Sequence, residues 1–266
     1  MGNQRPRQMT ALKDRTRLTD SLTFYCRKAA GRIASCGCGF VLFMKREMKT
    51  LIKEVKLVEY SKTVDLLNCL THAAGSVLAV VFTVMMLKKA VGARQILSAV
   101  IYGLSFFAVF TVSAVYHGLR DERKKRKARL IDHSTVPLLI AGTATPCAMI
   151  TLFEVSRGRC ALVMGLGWFC FFFGLFSKLF FFEKLKAVTM AVYIVSGAVM
   201  LLSVVPILDK IDSAAFMKLV YGCILYLVGA LFCAIGRKKP LCHVIFHVFV
   251  LFGAVVHFYV IYQFVM

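Results

Sequence analysis

Acidic residues are scarce in this 266-residue chain: 13 Asp and Glu stand against 34 Lys and Arg, a formal net charge of +21. That imbalance would suit a nucleic-acid partner, but the basic residues are bunched into short stretches between long runs almost free of charge. The pattern follows membrane topology, and nucleic acid is excluded as a partner. No stretch is polar and long enough to form a soluble catalytic domain, and no internal repeat is visible. The ten cysteines fall in no zinc-ribbon spacing, and Cys36 and Cys38 in "SCGCGF" make two ligands where a structural zinc takes four. Unpaired thiols are therefore expected, with reversible acylation near the membrane as the other reading. No apolar segment carries a polar stripe along its full length, which argues against a pore.

What the chain has in excess is hydrophobic sequence, 59% of residues with 23 Phe, where soluble domains average about 45–50% apolar. The excess is gathered into seven runs near 63–87, 95–117, 130–153, 160–182, 187–208, 213–235 and 240–264. Each is long enough to cross a bilayer core, which takes about 20 apolar residues. The expected fold is an all-α polytopic membrane protein, a bundle of seven transmembrane helices. Basic residues gather on the cytoplasmic side. Thirteen Lys and Arg precede residue 57 and seven more lie in 118–129, so the N-terminus is expected in the cytoplasm and the C-terminus outside. Anionic lipid headgroups are the natural partners of this charge.

Residues 1–57 form a basic N-terminal extension to a membrane domain at 58–266. Within it "IASCGCGFVLFM" is too short to span and has no signal-type cleavage site. It reads as an interfacial segment, or else translation begins at Met44 or Met48.

Ionisable groups within membrane spans are costly and point to function. The first run carries "DLLNCLTH", with Asp65, Asn68 and His72; the second ends "SAVYHGLR", with Ser113 and His117 four apart. The third begins "RLIDHSTVP", with Asp132 and His133, and the seventh opens with His243 and His247. At 1.5 Å rise per residue, His117, Asp132, His243 and His247 all lie roughly 4–12 Å inside the cytoplasmic border, and His72 about 15 Å from Lys62. Residues four apart differ by about 40° around a helix, so His243 and His247 can reach one ion, and imidazole suits zinc. His257 lies about 15 Å beyond His247 and is expected to be hydrogen-bonded elsewhere. Taken singly, each residue has a plainer role: Ser113 and Asn68 as helix-packing polar groups, Asp132 as an N-terminal helix residue, the two histidines as core residues. Their joint occurrence at one depth is the argument for a site.

The ordered motifs "DLLNCLTHAAG", "SAVYHGLR", "DHSTVPLLIAGTATP" and "HVIFHVFVLFGAVVH" closely resemble the hemolysin III family. That family belongs with the progestin and adiponectin Q receptors and is more distantly similar to the alkaline ceramidases. The resemblance runs from about residue 58 to the end. It implies a seven-helix bundle holding zinc through His117, His243 and His247, with Asp132 acting on a water at the metal and Pro146 kinking the third helix. Asp65 departs from the family pattern, which leads one to expect Glu seven residues before His72. Three protein ligands with an open position is the arrangement of catalytic zinc. Ser113 could donate to an oxyanion or orient a carboxylate. The resemblance leads to a zinc-dependent hydrolase acting on a lipid amide, ceramide-like, that approaches from the surrounding lipid. The other readings are a zinc-stabilised membrane receptor or signalling protein, and a membrane-lytic agent. The compact matched region suggests a bacterial inner membrane.

Overall fold

The computed structural model describes Ile52 and residues 55–181, 185–236 and 238–266. The basic extension before them, with its CxC motif and candidate start sites, lies outside the described residues. The described chain is helical, with seven helices long and apolar enough to cross a membrane. They are α1 (Lys62–Lys89), α2 (Gly92–Gly118), α3 (Glu122–Pro146), α4 (Arg157–Phe181), α5 (Lys186–Val204), α6 (Ser213–Ile235) and α7 (Pro240–Val260). This is a multi-pass membrane protein. The seven described cysteines are free thiols.

Local chemistry sets the helix starts. Ser61, Asp121 and Asp212 each accept a hydrogen bond from a first-turn amide, of Val64, Lys124 and Ala215, which satisfies a donor the helix itself leaves unpaired. Pro240 opens α7 at a position whose missing N–H costs nothing. Gly92, at φ 76, turns the chain from α1 into α2, a backbone conformation that side chains disfavour.

One boundary differs from the sequence expectation. The basic stretch 118–129 reads as a loop, yet α3 already begins at Glu122. Asp121 caps it, and Arg, Lys and Ala are good helix formers, so the third helix projects beyond its apolar run. Lys125 and Arg129 on this projection are buried. At the far end of α3, Pro146 lacks the N–H for the α-helical ladder, and the backbone passes at once into a π-helical turn, Cys147–Leu152.

The packing centre is α2. Tyr102, Phe106, Val109 and Phe110 are buried against Ala79 and Met86 of α1, Leu139 of α3, and Ala254 and Phe258 of α7. Helices α1 and α2, α2 and α3, α3 and α4, and α6 and α7 pack side by side, and α7 closes back onto α1. Among the described residues α5 rests on α4 and scarcely touches α6. The outer faces carry large exposed apolar side chains, including Leu70, Val77, Leu104, Phe172, Leu231 and Phe252, as a lipid-facing surface requires.

Candidate metal centre

Two helices deliver three histidines to one point. His117 ends α2, and His243 and His247 occupy successive turns of one α7 face. One ring nitrogen from each lies within 4.8 Å of the other two. The ring centroids are 4.9 Å apart for His117–His247, 4.6 Å for His243–His247 and 5.5 Å for His117–His243. His117 and His247 are buried, and His243 is partly so. Bonds of about 2.1 Å to a tetrahedral zinc would set the nitrogens about 3.4 Å apart, so the triad needs only a modest contraction around an ion.

The partners of the rings show which nitrogens are left over. Nδ1 of His117 lies 3.0 Å from Oδ1 of Asp65, and since an ionised carboxylate only accepts, Nδ1–H is the donor. Nε2 of His117 then holds a lone pair and has no partner. Nδ1 of His247 bonds Nε2 of His72, and Nε2 of His247 is likewise buried without a partner. Nε2 of His117, and Nε2 of His247 in the tautomer whose Nδ1–H donates to His72, are buried acceptors facing no donor; left so they are costly, and a cation fits. Hydrogen bonds from the far nitrogen are the usual means of fixing ring orientation and tautomer in metal-binding histidines. The buried triad could thus hold a metal ion.

The remaining residues singled out in the sequence surround this point. Asp65, buried at the start of α1, also accepts from Nζ of Lys125, so it ties α1, α2 and the projecting turn of α3 together. The Asn68 amide nitrogen lies 3.5 Å from Nδ1 of His117. His72 is buried, its Nδ1 without a partner and its ring tilted on Phe110. Asp132 accepts from Nδ1 of His133 at 3.0 Å, and it is close enough to His117 and His72 for electrostatic interaction. Ser113, one turn before His117, is buried and its hydroxyl has no partner. His257 stands apart from all of these: its Nε2–H donates to the Leu219 carbonyl at 3.1 Å.

Two residues that sequence reasoning passed over are part of this arrangement. Lys125 sits in a stretch, 118–129, that holds seven basic residues, and nothing there marks it out; only the fold shows it turned inward to Asp65. Tyr60, just before the α1 cap, lies over the rings of His243 and His117. Its phenol is raised above the ordinary tyrosine value, chiefly by burial, so it stays a neutral hydroxyl.

Comparison with known proteins gives the same outline. Residues 60–258 match the family described as haemolysin-III related. The chain is 29% identical to Hemolysin-3 of Bacillus cereus over 78% of its length and 94% of that protein's. It is 33% identical to the Hemolysin-3 homolog of Bacillus subtilis (strain 168) over 73% and 91%. It is also 28% identical to the human monocyte to macrophage differentiation factor, over 74% and 82%.

Proposed function

The chain belongs to the haemolysin-III related family, and from that premise we propose that it is a zinc-dependent hydrolase of a long-chain lipid amide, ceramide-like in chemistry. The observation that carries the proposal is the pair of buried, partnerless Nε2 atoms on His117 and His247 beside His243. His117, His243 and His247 would hold zinc, a metal suited to imidazole. Bound with a fourth position open, zinc would supply Lewis acidity and acidify water near neutral pH.

The chain's own residues account for the rest. His133 occupies Oδ2 of Asp132, leaving Oδ1 to orient the attacking water and take its proton. The Ser113 hydroxyl, buried and partnerless, is available to donate to the oxygen of the amide carbonyl as charge builds there. Water adds to the carbonyl carbon, the C–N bond breaks, and the proton held by Asp132 passes to the departing amine, so the products are a fatty acid and an amine. A lipid substrate can approach sideways, and the sparse packing between α5 and α6 supports such a route. The distribution of basic residues supports a cytoplasmic N-terminus, an orientation that would put the site in the cytoplasmic leaflet.

The test is zinc content and hydrolysis of a long-chain ceramide by detergent-purified protein, wild type beside Asp132→Asn. The expected result is about one zinc per chain in both, with turnover lost by at least 10²-fold in the variant. Zinc in both with no turnover of any lipid amide by the wild type would overturn the hydrolase reading and leave a zinc-stabilised membrane receptor. Ion flux in liposomes that survives zinc removal would point to lysis instead.

A further inference from the structure

Two of the three candidate ligands have a hydrogen-bonding partner behind them, Asp65 for His117 and His72 for His247. His243 does not: among the described residues no side chain hydrogen-bonds its ring. It is also the most exposed of the three and sits on the first turn of α7, where a helix is least held by its own hydrogen bonds. A ligand that swings freely loses rotamer entropy on binding a metal, so something must hold it if it is to bind well.

The structure places an aromatic ring there. Tyr60 stacks on His243 with centroids 5.2 Å apart and planes 17° from parallel, and its other flank meets His117 at 5.8 Å, tilted by 47°. Both distances fall within the about 4.5–7 Å range of favourable aromatic pairs. Tyr60 belongs to Val55–Ser61, a non-helical strap leading into α1. The strap is anchored at its other end: Val55 is buried, and its carbonyl accepts from Nη1 of Arg126 at 2.6 Å. Arg126 stands on the projecting first turns of α3, so the strap runs from that projection to the rim of the histidine triad. On the opposite side His243 backs onto Gly236, where a Cβ would come within 3.0 Å of the His243 backbone nitrogen. His243 is thus confined between the Tyr60 ring and the chain entering α7.

We propose that Tyr60 is a positioning residue for His243, its ring setting the orientation of that imidazole while the Arg126-anchored strap keeps the ring over the triad. The proposal rests on the metal-site reading above, but it is independent of whether the site hydrolyses lipid. Each ligand then has its own restraint: a carboxylate for His117, a second imidazole for His247, an aromatic face for His243. Face-to-face packing is the role, so the phenol oxygen is dispensable and the ring is not.

The experiment uses cobalt(II) as a spectroscopic stand-in loaded into the full-length protein in detergent, for wild type, Tyr60→Phe, Tyr60→Leu and Arg126→Gln. Visible absorption reports ligand geometry, and competition with a chelator reports affinity. Tyr60→Phe is expected to keep the wild-type spectrum and affinity. Tyr60→Leu is expected to shift the cobalt bands and to lower affinity by about 10-fold, the lower end of what outer-sphere substitutions do. Arg126→Gln, which leaves the ring in place but frees the strap, moves both in the same direction by less, and serves alone should Tyr60→Leu not fold. Wild-type spectra and affinity in Tyr60→Leu, or in Arg126→Gln where only that variant folds, would overturn the proposal while leaving the metal site intact. Equal losses in Tyr60→Phe and Tyr60→Leu would overturn it too, by assigning the effect to the hydroxyl. A wild type that takes up no cobalt would overturn the metal site itself and this proposal with it.

Discussion

Helix α7 carries two buried histidine neighbourhoods, and they are built on opposite principles. Near its start His247 meets His243, His117 and His72, rings drawn from three helices, with free nitrogens left over at the centre. About 15 Å further along, His257 is alone. Its N–H is used on the Leu219 carbonyl, Cys223 sulfur lies 3.9 Å away, Tyr226 packs edge-on at 5.2 Å, and Gly222 leaves room for the ring. Burial of an imidazole is common to both and so distinguishes nothing. Both also leave a buried ring nitrogen without a partner, Nδ1 in the case of His257, so the difference lies in convergence: His257 joins two helices through a backbone carbonyl, whereas His117, His243 and His247 stand with one ring nitrogen each within 4.8 Å of the others.

The sharpest way to break the comparison is to remove histidines at each end. His243→Ala/His247→Ala is expected to abolish metal binding, from about one ion per chain to none, while His257→Ala keeps the full stoichiometry. Metal analysis of the purified proteins reads this directly, and loss of metal from His257→Ala would erase the distinction. A smaller effect is expected behind the first site. Asp65→Asn keeps the shape but weakens the acceptor that holds His117, and metal affinity should fall about 10–100-fold by chelator competition. The smallest effect lies at the other end. A Cβ at position 222 would stand 2.3 Å from the His257 ring, so Gly222→Ala should cost about 1–3 kcal/mol of stability through overpacking, seen as a lower thermal midpoint in detergent. Its metal content should be unchanged.

The two ends also differ in how much of them could be read beforehand. Seven apolar runs bounded by short polar breaks need only chain order, and the seven helices follow them closely. The i, i+4 spacing of His243 and His247 and the depth of His117 are likewise local facts, and the fold brings these three together. The contribution of Lys125 is not local. Its partner Asp65 lies 60 positions away, and in a stretch with seven basic residues only the phase of a helix starting at Glu122 decides which cation turns inward. High charge density there reads as a loop, because an apolar-run criterion discards long side chains whose aliphatic stems can still be buried. Tyr60 escaped notice for a related reason: it belongs to no helix, and irregular segments have no period by which to infer what a side chain faces.

The histidine layer is drawn from α1, α2 and α7, each packed on at least one of the others, and α3 with its Asp132–His133 pair packs on α2. Among the described residues helix α5 has less support: it leans mainly on α4 and, with α6, is the least buried of the seven spans. A helix held so lightly by protein is held mainly by acyl chains, and its tilt answers to bilayer thickness, at fractions of a kcal/mol per ångström of mismatch. A change of membrane thickness would therefore be felt by α5 before it is felt by the helices that carry the histidines.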